Sequence, residues 1–232
     1  MRFSLLLLLV FSNIFCTKKE ILPPIENPIP NPPPAIKYLA LGDSYTIGQS
    51  VDIDERYPIQ LQNRLVADST IIDTTIIIAK TGWTTSNLKN AIANANLTDT
   101  FDLVSLLIGV NNQFQNKPID EYEIEFEELL NTAIEFAGNS KENVFVLSIP
   151  DYAFTPFGNG NPTISTEIDD FNFVNKKITD SLGISYFDIT PISRQGLAEP
   201  DLVATDGLHP SGEQYSRWID LLYDAIKMKV NP

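Results

Sequence analysis

The chain of 232 residues has few of the residues that metal, redox and nucleic-acid chemistry require. It contains one histidine, one cysteine, and 16 Lys and Arg against 30 Asp and Glu, which gives a net charge of −14. A single cysteine forms no disulfide within the chain, and it provides no metal-ligand cluster with a single histidine. A surface this acidic repels phosphate backbones, so nucleic acid is not an expected partner. We therefore predict a fold held together by its hydrophobic core, without metal or cofactor.

The chain also has no apolar run long enough to cross a bilayer, which takes ~20 residues. Its longest apolar run, residues 3–11, follows Arg2 and precedes Cys16, as in an export signal. This segment resembles a bacterial lipoprotein signal, which implies a lipid on Cys16, although Phe15 stands where such signals prefer a small residue. A plain signal peptide is the alternative. We predict an exported protein. With a lipid on Cys16, it is anchored to a membrane through that residue alone and faces the periplasm or the cell surface. Without that lipid, it is secreted.

Proline is concentrated in one place. Residues 17–34 hold seven of the 16 prolines. Proline fixes φ and lacks a donor, so this stretch predicts an extended, semi-rigid spacer. The predicted organisation is an export signal over 1–16, a proline-rich linker over 17–34 and one domain over 35–232.

From residue 35 onward, strand-like and helix-like stretches alternate. Strands are predicted at 36–41, 71–79, 101–108, 144–149 and 184–187. Helices are predicted at 55–66, with Ile59, Leu61, Leu65 and Val66 as its apolar face, at 86–95, from Pro118 to Gly138, around 168–182 and after Pro210. This alternation favours right-handed βαβ units. We predict a three-layer α/β/α sandwich with a five-stranded parallel sheet in flavodoxin-like order.

A reactive serine follows the first predicted strand, in Gly42-Asp43-Ser44. In open α/β sheets, ligands bind at the carboxyl ends of the strands. Ser44 becomes a nucleophile if a base removes its proton, and His209, the single histidine, can serve as that base near neutral pH. Asp206, three residues earlier, can accept the other ring N–H. The residues therefore predict a Ser-His-Asp triad.

Two further residues at strand ends suit an oxyanion hole. Gly82 follows the second strand and offers an unobstructed backbone N–H, and Asn111 follows the third and offers an amide; the Ser44 N–H would be the third donor. Each feature alone has an ordinary explanation: a capping serine, a turn glycine, a loop asparagine or a structural histidine. Their joint occurrence at the ends of predicted strands favours catalysis.

Together these residues resemble the four sequence blocks of the SGNH (GDSL-type) hydrolases. The blocks are Gly42-Asp43-Ser44, then Gly82, then Gly109-Val110-Asn111-Asn112, then Asp206-Gly207-Leu208-His209. The resemblance implies that Ser44 is the nucleophile, His209 the base and Asp206 its partner, with Ser44, Gly82 and Asn111 as the oxyanion hole. It implies a lysophospholipase, a short-chain esterase or a carbohydrate deacetylase. Many members carry aspartate at the position of Asn112, a residue that supports the loop.

The substrate side is less defined by the sequence. Phe154 and Phe157 lie in the loop after the fourth strand and would either contact substrate or fasten the loop to the core. The expected partner is a small-molecule ester, lipid or acylated sugar, and the sequence does not indicate an oligomeric state. A non-catalytic ligand-binding lipoprotein on the same fold is the alternative. A flavodoxin-like cofactor binder is disfavoured, because Asp43 stands where a phosphate would bind.

Overall fold

Five parallel strands form the centre of the domain, which a computed structural model describes for residues 35–230. Their order across the sheet is β2-β1-β3-β4-β5, the flavodoxin-like order that the sequence predicts. The strands are β1 (Ile36–Gly42), β2 (Ile72–Ala79), β3 (Leu103–Leu107), β4 (Val144–Leu147) and β5 (Ser185–Phe187). All four neighbouring pairs are parallel.

The strands differ in how deeply they are buried. Strands β3 and β4 are buried along their whole length, as nearly all-apolar strands covered on both faces should be. Strand β2 is different: it pairs only with β1, lies at the edge of the sheet and is half-buried along most of its length. Its β-branched residues Thr74–Ile78 make it a strand in spite of this position.

Five long helices cover the sheet, as predicted. They are α2 (Tyr57–Ala67), α3 (Thr85–Ala95), α5 (Ile119–Phe136), α6 (Pro162–Ser181) and α8 (Gly212–Val230). Helices α2 and α8 pack on each other, and α5 packs on both α3 and α6. Three short helices that the apolar spacing did not predict lie directly after strands: α1 (Ser44–Ile47), α4 (Val110–Phe114) and α7 (Thr190–Ser193). A segment of one turn is too short to show a helical period.

Two details of the predicted helices need correction. Val66 was placed on the apolar face of α2, but it is 51% exposed; Tyr57, Pro58, Leu61 and Leu65 form that face. Val66 directly follows Leu65, and consecutive helical residues point about 100° apart, so both cannot face the core. Pro118 precedes α5 as its N-cap, and the helix begins at Ile119.

The described residues all belong to the second of two units of the chain, Pro33–Pro232. The predicted export signal, Cys16 and the whole proline-rich spacer lie outside the described residues. Among residues 35–230, no helix is both long enough and apolar enough to span a bilayer.

Candidate active site

The first block is a tight turn between β1 and α1. Asp43 caps α1, since its Oδ1 accepts from the Tyr45 N–H at 3.0 Å. Gly42 is required by crowding: a Cβ there would lie 2.1 Å from Thr46 Oγ1 and 2.4 Å from the Leu107 carbonyl oxygen. The turn therefore delivers Ser44 as the first residue of a helix, where its backbone N–H has no partner within the helix.

Ser44 lies near the surface but is well shielded, with 4% of its area exposed. Its helix is fastened from the other end of the chain, because the Tyr215 hydroxyl in α8 donates to the Tyr45 carbonyl oxygen at 2.9 Å. The Tyr45 ring in turn meets the His209 ring edge-on, with centroids 5.8 Å apart. The serine turn and the histidine loop are thus packed together.

Asp206 and His209 form the pair that their spacing predicts. His209 Nδ1 lies 2.6 Å from Asp206 Oδ2. The other carboxylate oxygen, Oδ1, accepts from the backbone N–H groups of Leu208 at 2.9 Å and His209 at 3.0 Å. The carboxylate is therefore held by its own loop while it faces the imidazole.

A fourth donor reaches Asp206 from the turn that follows α1. The Ser50 hydroxyl donates to Asp206 Oδ2 at 2.7 Å. Partial burial pushes the pKa of Asp206 upward, but the hydrogen bonds from Ser50, from the backbone and ring of His209 and from the Leu208 N–H outweigh it. The pKa of Asp206 is accordingly well below its ordinary value, and this carboxylate is ionised at neutral pH.

Asp43 has the opposite character. It is fully buried, and its Oδ2 has no hydrogen-bond partner among the described residues. Burial raises the pKa of Asp43 to about 7, against the lowering effect of the Tyr45 N–H and of the nearby Asn111 amide and Gly109 N–H. Near neutral pH this carboxyl next to Ser44 is therefore poised between its two protonation states.

The second and third blocks are linked by side-chain amides. Asn111 Nδ2 donates to the Trp83 carbonyl oxygen at 3.0 Å, and Gln115 Nε2 donates to that of Gly82 at 3.1 Å. Gly82 has a φ of +83°, and an added Cβ would meet no atom within 4 Å. Glycine is thus favoured there by backbone conformation and not by crowding.

Asn112 supports the loop, which is the role that the family resemblance implies for this position. It is buried, its Oδ1 accepts from the Thr85 N–H at 3.0 Å, and its Nδ2 donates to Thr85 Oγ1 at 2.7 Å. Thr85 begins α3, directly after the second block. Asn112 thereby fixes the third block to the second and leaves Asn111 beside the cavity.

One cavity of about 220 Å³ brings four of the predicted residues together. Ser44, Gly82, Asn111 and His209 all line it. The remaining lining residues are Tyr45, Thr81, Val110, Phe114, Tyr152 and Leu208. Asp206 does not line the cavity, and lies behind the His209 ring.

An aromatic wall, defined here as Phe114, Tyr152 and Phe157, adjoins this cavity. The three rings contact one another with centroids 6.1–6.3 Å apart. Phe114 and Tyr152 line the cavity; Phe157 extends the wall outward, with 56% of its area exposed, but does not line the cavity, and neither does Phe154. Sequence reasoning missed Phe114, although Val110 and Phe114 have the i, i+4 spacing of one helix face.

The described residues contain no group of three or more His, Cys, Asp or Glu side chains placed to hold a metal ion.

Comparison with known proteins identifies the family of this chain. The model of the GDSL-like lipase/acylhydrolase family matches residues 40–217. A comparison with curated protein sequences finds no match.

Several solved structures share the fold. The psychrotrophic esterase EstA from Pseudoalteromonas sp. is 18% identical, with 85% of this chain and 100% of that one covered at a TM-score of 0.64. The acetylxylan esterase Axe2 from Geobacillus stearothermophilus is 20% identical (87% and 96% covered, TM-score 0.63). A lipase/acylhydrolase from Enterococcus faecalis is 21% identical (84% and 96% covered, TM-score 0.63). The family match spans more than half of the chain, and the chain therefore belongs to the GDSL-like lipase/acylhydrolase (SGNH) family and is a hydrolase that acts on ester bonds.

Proposed function

We propose that the protein is a serine esterase in which Ser44 is the nucleophile, His209 the general base and Asp206 the residue that orients it. The observation that carries this proposal is the 2.6 Å contact between His209 Nδ1 and Asp206 Oδ2, behind a ring that lines the same cavity as Ser44. With its Nδ1–H donated to an ionised carboxylate, the neutral imidazole presents its Nε2 lone pair as the proton acceptor.

The reaction proceeds in two halves. His209 Nε2 takes the Ser44 Oγ proton as the oxygen bonds to the ester carbonyl carbon, and the proton then passes to the departing alkoxide as the C–O bond breaks. This leaves an acyl group on Ser44. Water attacks the acyl carbon with His209 again as base, the carboxylic acid leaves and Ser44 regains its proton. Asp206 stays ionised throughout and stabilises the transient imidazolium.

We infer that three donors bind the oxyanion. The Ser44 N–H is free at the start of α1, the Gly82 N–H follows β2, and Asn111 keeps a second amide hydrogen besides the one given to Trp83. The side-chain amides of Asn111 and Gln115 donate hydrogen bonds to the carbonyl oxygens of Trp83 and Gly82 and hold them toward α4. These bonds restrict the orientation of the Gly82 loop. Loss of one such donor costs about 3 kcal/mol of transition-state stabilisation in serine hydrolases.

The cavity favours a small acyl group. Its volume of about 220 Å³ lies below the ~300–1,000 Å³ typical of pockets for drug-sized ligands. Val110, Phe114 and Leu208 give it an apolar lining next to Ser44. We infer a short-chain ester as substrate, with the aromatic wall beside either the acyl chain or the alcohol. An acetylated sugar is a natural source of such an ester. A lysophospholipid, whose acyl chain is long and would have to extend out of the cavity along the aromatic wall, is the alternative source.

The test is turnover of p-nitrophenyl esters from acetate to palmitate by purified protein, beside Ser44→Ala. We expect the highest kcat/KM for acetate or butyrate and its loss in Ser44→Ala. Ser69→Ala, an exposed serine after α2, is the matched control and should behave as wild type. Equal and negligible rates for wild type and Ser44→Ala, with both folded, would refute the nucleophile and favour a ligand-binding lipoprotein.

A second set of substrates separates the two natural sources. Acetylated xylo-oligosaccharides and lysophosphatidylcholine would be offered at equal concentration to wild type, Phe114→Ala and Phe157→Ala. If the aromatic wall binds an acyl chain, both variants lose lysolipid hydrolysis and keep deacetylation. If it binds a sugar face, both variants lose deacetylation and keep lysolipid hydrolysis.

We also propose that the chain is exported and carries a lipid on Cys16, with residues 17–34 as a spacer. The apolar run after Arg2 and the position of Cys16 support this proposal. Fractionation of cells that express wild type or Cys16→Ser tests it. Wild type should sediment with membranes and the variant should not; equal distribution of the two would rule the anchor out and leave a plain secreted form.

A further inference from the structure

The turn that follows α1 reaches both sides of the cavity. Gly48 ends the helix with a φ of +68°, and Ser50 adopts the left-handed region with a φ of +68° as well. Between them, Gln49 Oε1 accepts from the Thr81 hydroxyl at 2.6 Å, while Ser50 donates to Asp206 Oδ2 at 2.7 Å. Thr81 directly precedes Gly82. Two neighbouring side chains thus contact the loop that carries Gly82 on one side of the cavity and the Asp206 carboxylate on the other.

We propose that Ser50 is a positioning residue of the reaction: it orients the Asp206 carboxylate toward His209 and neutralises part of its negative charge. Gln49 holds the Thr81–Gly82 loop on the opposite side of the cavity. This inference rests on the proposed function, since it assigns Ser50 to the same triad. Neither Gln49 nor Ser50 belongs to the four blocks that identify the family.

The hydrogen bonds of Asp206 show what Ser50 adds. Oδ1 is held by two backbone N–H groups of residues 208 and 209, which move with the loop itself. Ser50 lies 156 residues earlier and binds Oδ2, the oxygen that faces the imidazole. It therefore connects the loop of Asp206 and His209 to the turn after α1, the helix that begins at Ser44, and restricts the rotation of the carboxylate.

Ser50 also weakens the effect of the carboxylate on the imidazole. Oδ2 accepts from Ser50 and from His209 Nδ1 at once, so part of its negative charge is neutralised by the hydroxyl. Among residues 35–230, removal of the hydroxyl leaves the His209 ring as the one side-chain donor to Asp206 Oδ2. The charged imidazole is then stabilised more, and the base becomes active only at higher pH.

Other groups near the imidazole are accounted for. Tyr45 from α1 meets the ring edge-on, Tyr152 lines the same cavity, and Asp43 lies beside Ser44. None of these hydrogen-bonds to Ser50, and all remain in a Ser50 variant. A change in the titration of His209 in that variant is therefore due to the Asp206 contact.

The experiment compares Ser50→Ala, Ser50→Gly and Ser69→Ala with wild type. Ser69 is also exposed and also has a left-handed φ, of +70°, but lies after α2 and away from the cavity. In both Ser50 variants we expect kcat to fall about tenfold, as for loss of one hydrogen bond to a charged group, with KM nearly unchanged. The acid limb of the kcat/KM profile should move up by roughly half a pH unit. Ser69→Ala should match wild type.

A second readout is independent of turnover. The chain has one histidine, so untagged protein gives one imidazole Hε1 signal in proton NMR, with no other histidine to overlap it. Its titration in Ser44→Ala should move to higher pH when Ser50→Ala is added. An unchanged titration together with an unchanged pH profile would overturn the proposal, even if kcat fell, because a merely structural link would lower activity without moving either.

The outcomes also separate this inference from the proposed function. If wild type and Ser44→Ala are equally inactive on every ester, the esterase proposal fails, and the NMR titration still tests the Ser50 contact. If wild type is active and Ser50→Gly is as active as wild type while Ser50→Ala is not, backbone strain explains the loss, and the role of the hydroxyl is refuted.

Discussion

Two aspartates lie within the same site, and their surroundings shift their pKa values in opposite directions. Asp43 is fully buried, with one oxygen unbonded, and its pKa is raised to about 7. The side chain of Asp206 is 30% exposed, accepts four hydrogen bonds, and has its pKa lowered well below the ordinary value. The residue type is the same, so the number of donors and the access of water decide the charge.

The comparison has a thermodynamic consequence of opposite sign for each residue. The folded state favours the protonated form of Asp43, so its contribution to stability falls as pH rises from the unfolded pKa near 3.8 to the folded pKa of about 7. Asp206 stabilises the fold at neutral pH, and that contribution is lost as pH falls below 3.8. One acid makes the fold weaker in base, and the other makes it weaker in acid.

The largest effect is expected from Asp206→Asn. An amide in place of the carboxylate no longer stabilises the imidazolium or selects the tautomer with hydrogen on Nδ1, so kcat should fall by about 10³–10⁴-fold. Turnover of p-nitrophenyl acetate measures this, with Asp201→Asn, an exposed aspartate on the neighbouring loop, as control. A loss below tenfold in folded protein would show that Asp206 is no more than a loop residue.

A third aspartate sharpens the comparison, because Asp151 is as buried as Asp43 but is paired. Its Oδ2 lies 2.9 Å from Arg194 Nε. Arg194→Met leaves a buried carboxylate without its partner and should lower the free energy of unfolding by about 3 kcal/mol in urea denaturation. Arg217→Met, which removes two exposed ion pairs and one exposed hydrogen bond to Gln195, should change it little. Equal losses of unfolding free energy in the two variants would mean that the burial of Asp151 does not increase the cost of removing its cationic partner.

The smallest effect is expected from Asp43→Asn and is visible as a pH dependence. The variant has no group to titrate there, so it should gain stability relative to wild type by about 2 to 3 kcal/mol between pH 5 and pH 8. Urea denaturation of both proteins at the two pH values gives this difference, and it does not depend on how the amide packs. A pH-independent difference would contradict the raised pKa of Asp43.

The sequence predicts the parallel sheet and the Asp206–His209 contact because both follow from local patterns. Strand and helix alternate, and a spacing of three residues lets a loop carboxylate turn back on the ring. Val66 was misplaced because the apolar pattern of α2 is irregular. The Ser50 contact could not be predicted, since it joins residues 156 positions apart and uses an exposed serine with a left-handed φ. The burial of Asp43 likewise depends on layers that assemble only in the folded chain.

The edge position of β2 affects how the protein behaves once it unfolds. Its run Thr74–Ile78 is uncharged, β-branched and open to pairing along one side, with Asp73 as the nearest charge. Segments of this kind pair with copies of themselves when helices that shield them detach. Heating should therefore lead to aggregation faster than to refolding, and the apparent melting temperature should depend on scan rate. Shelf life would then be set by the rate of unfolding.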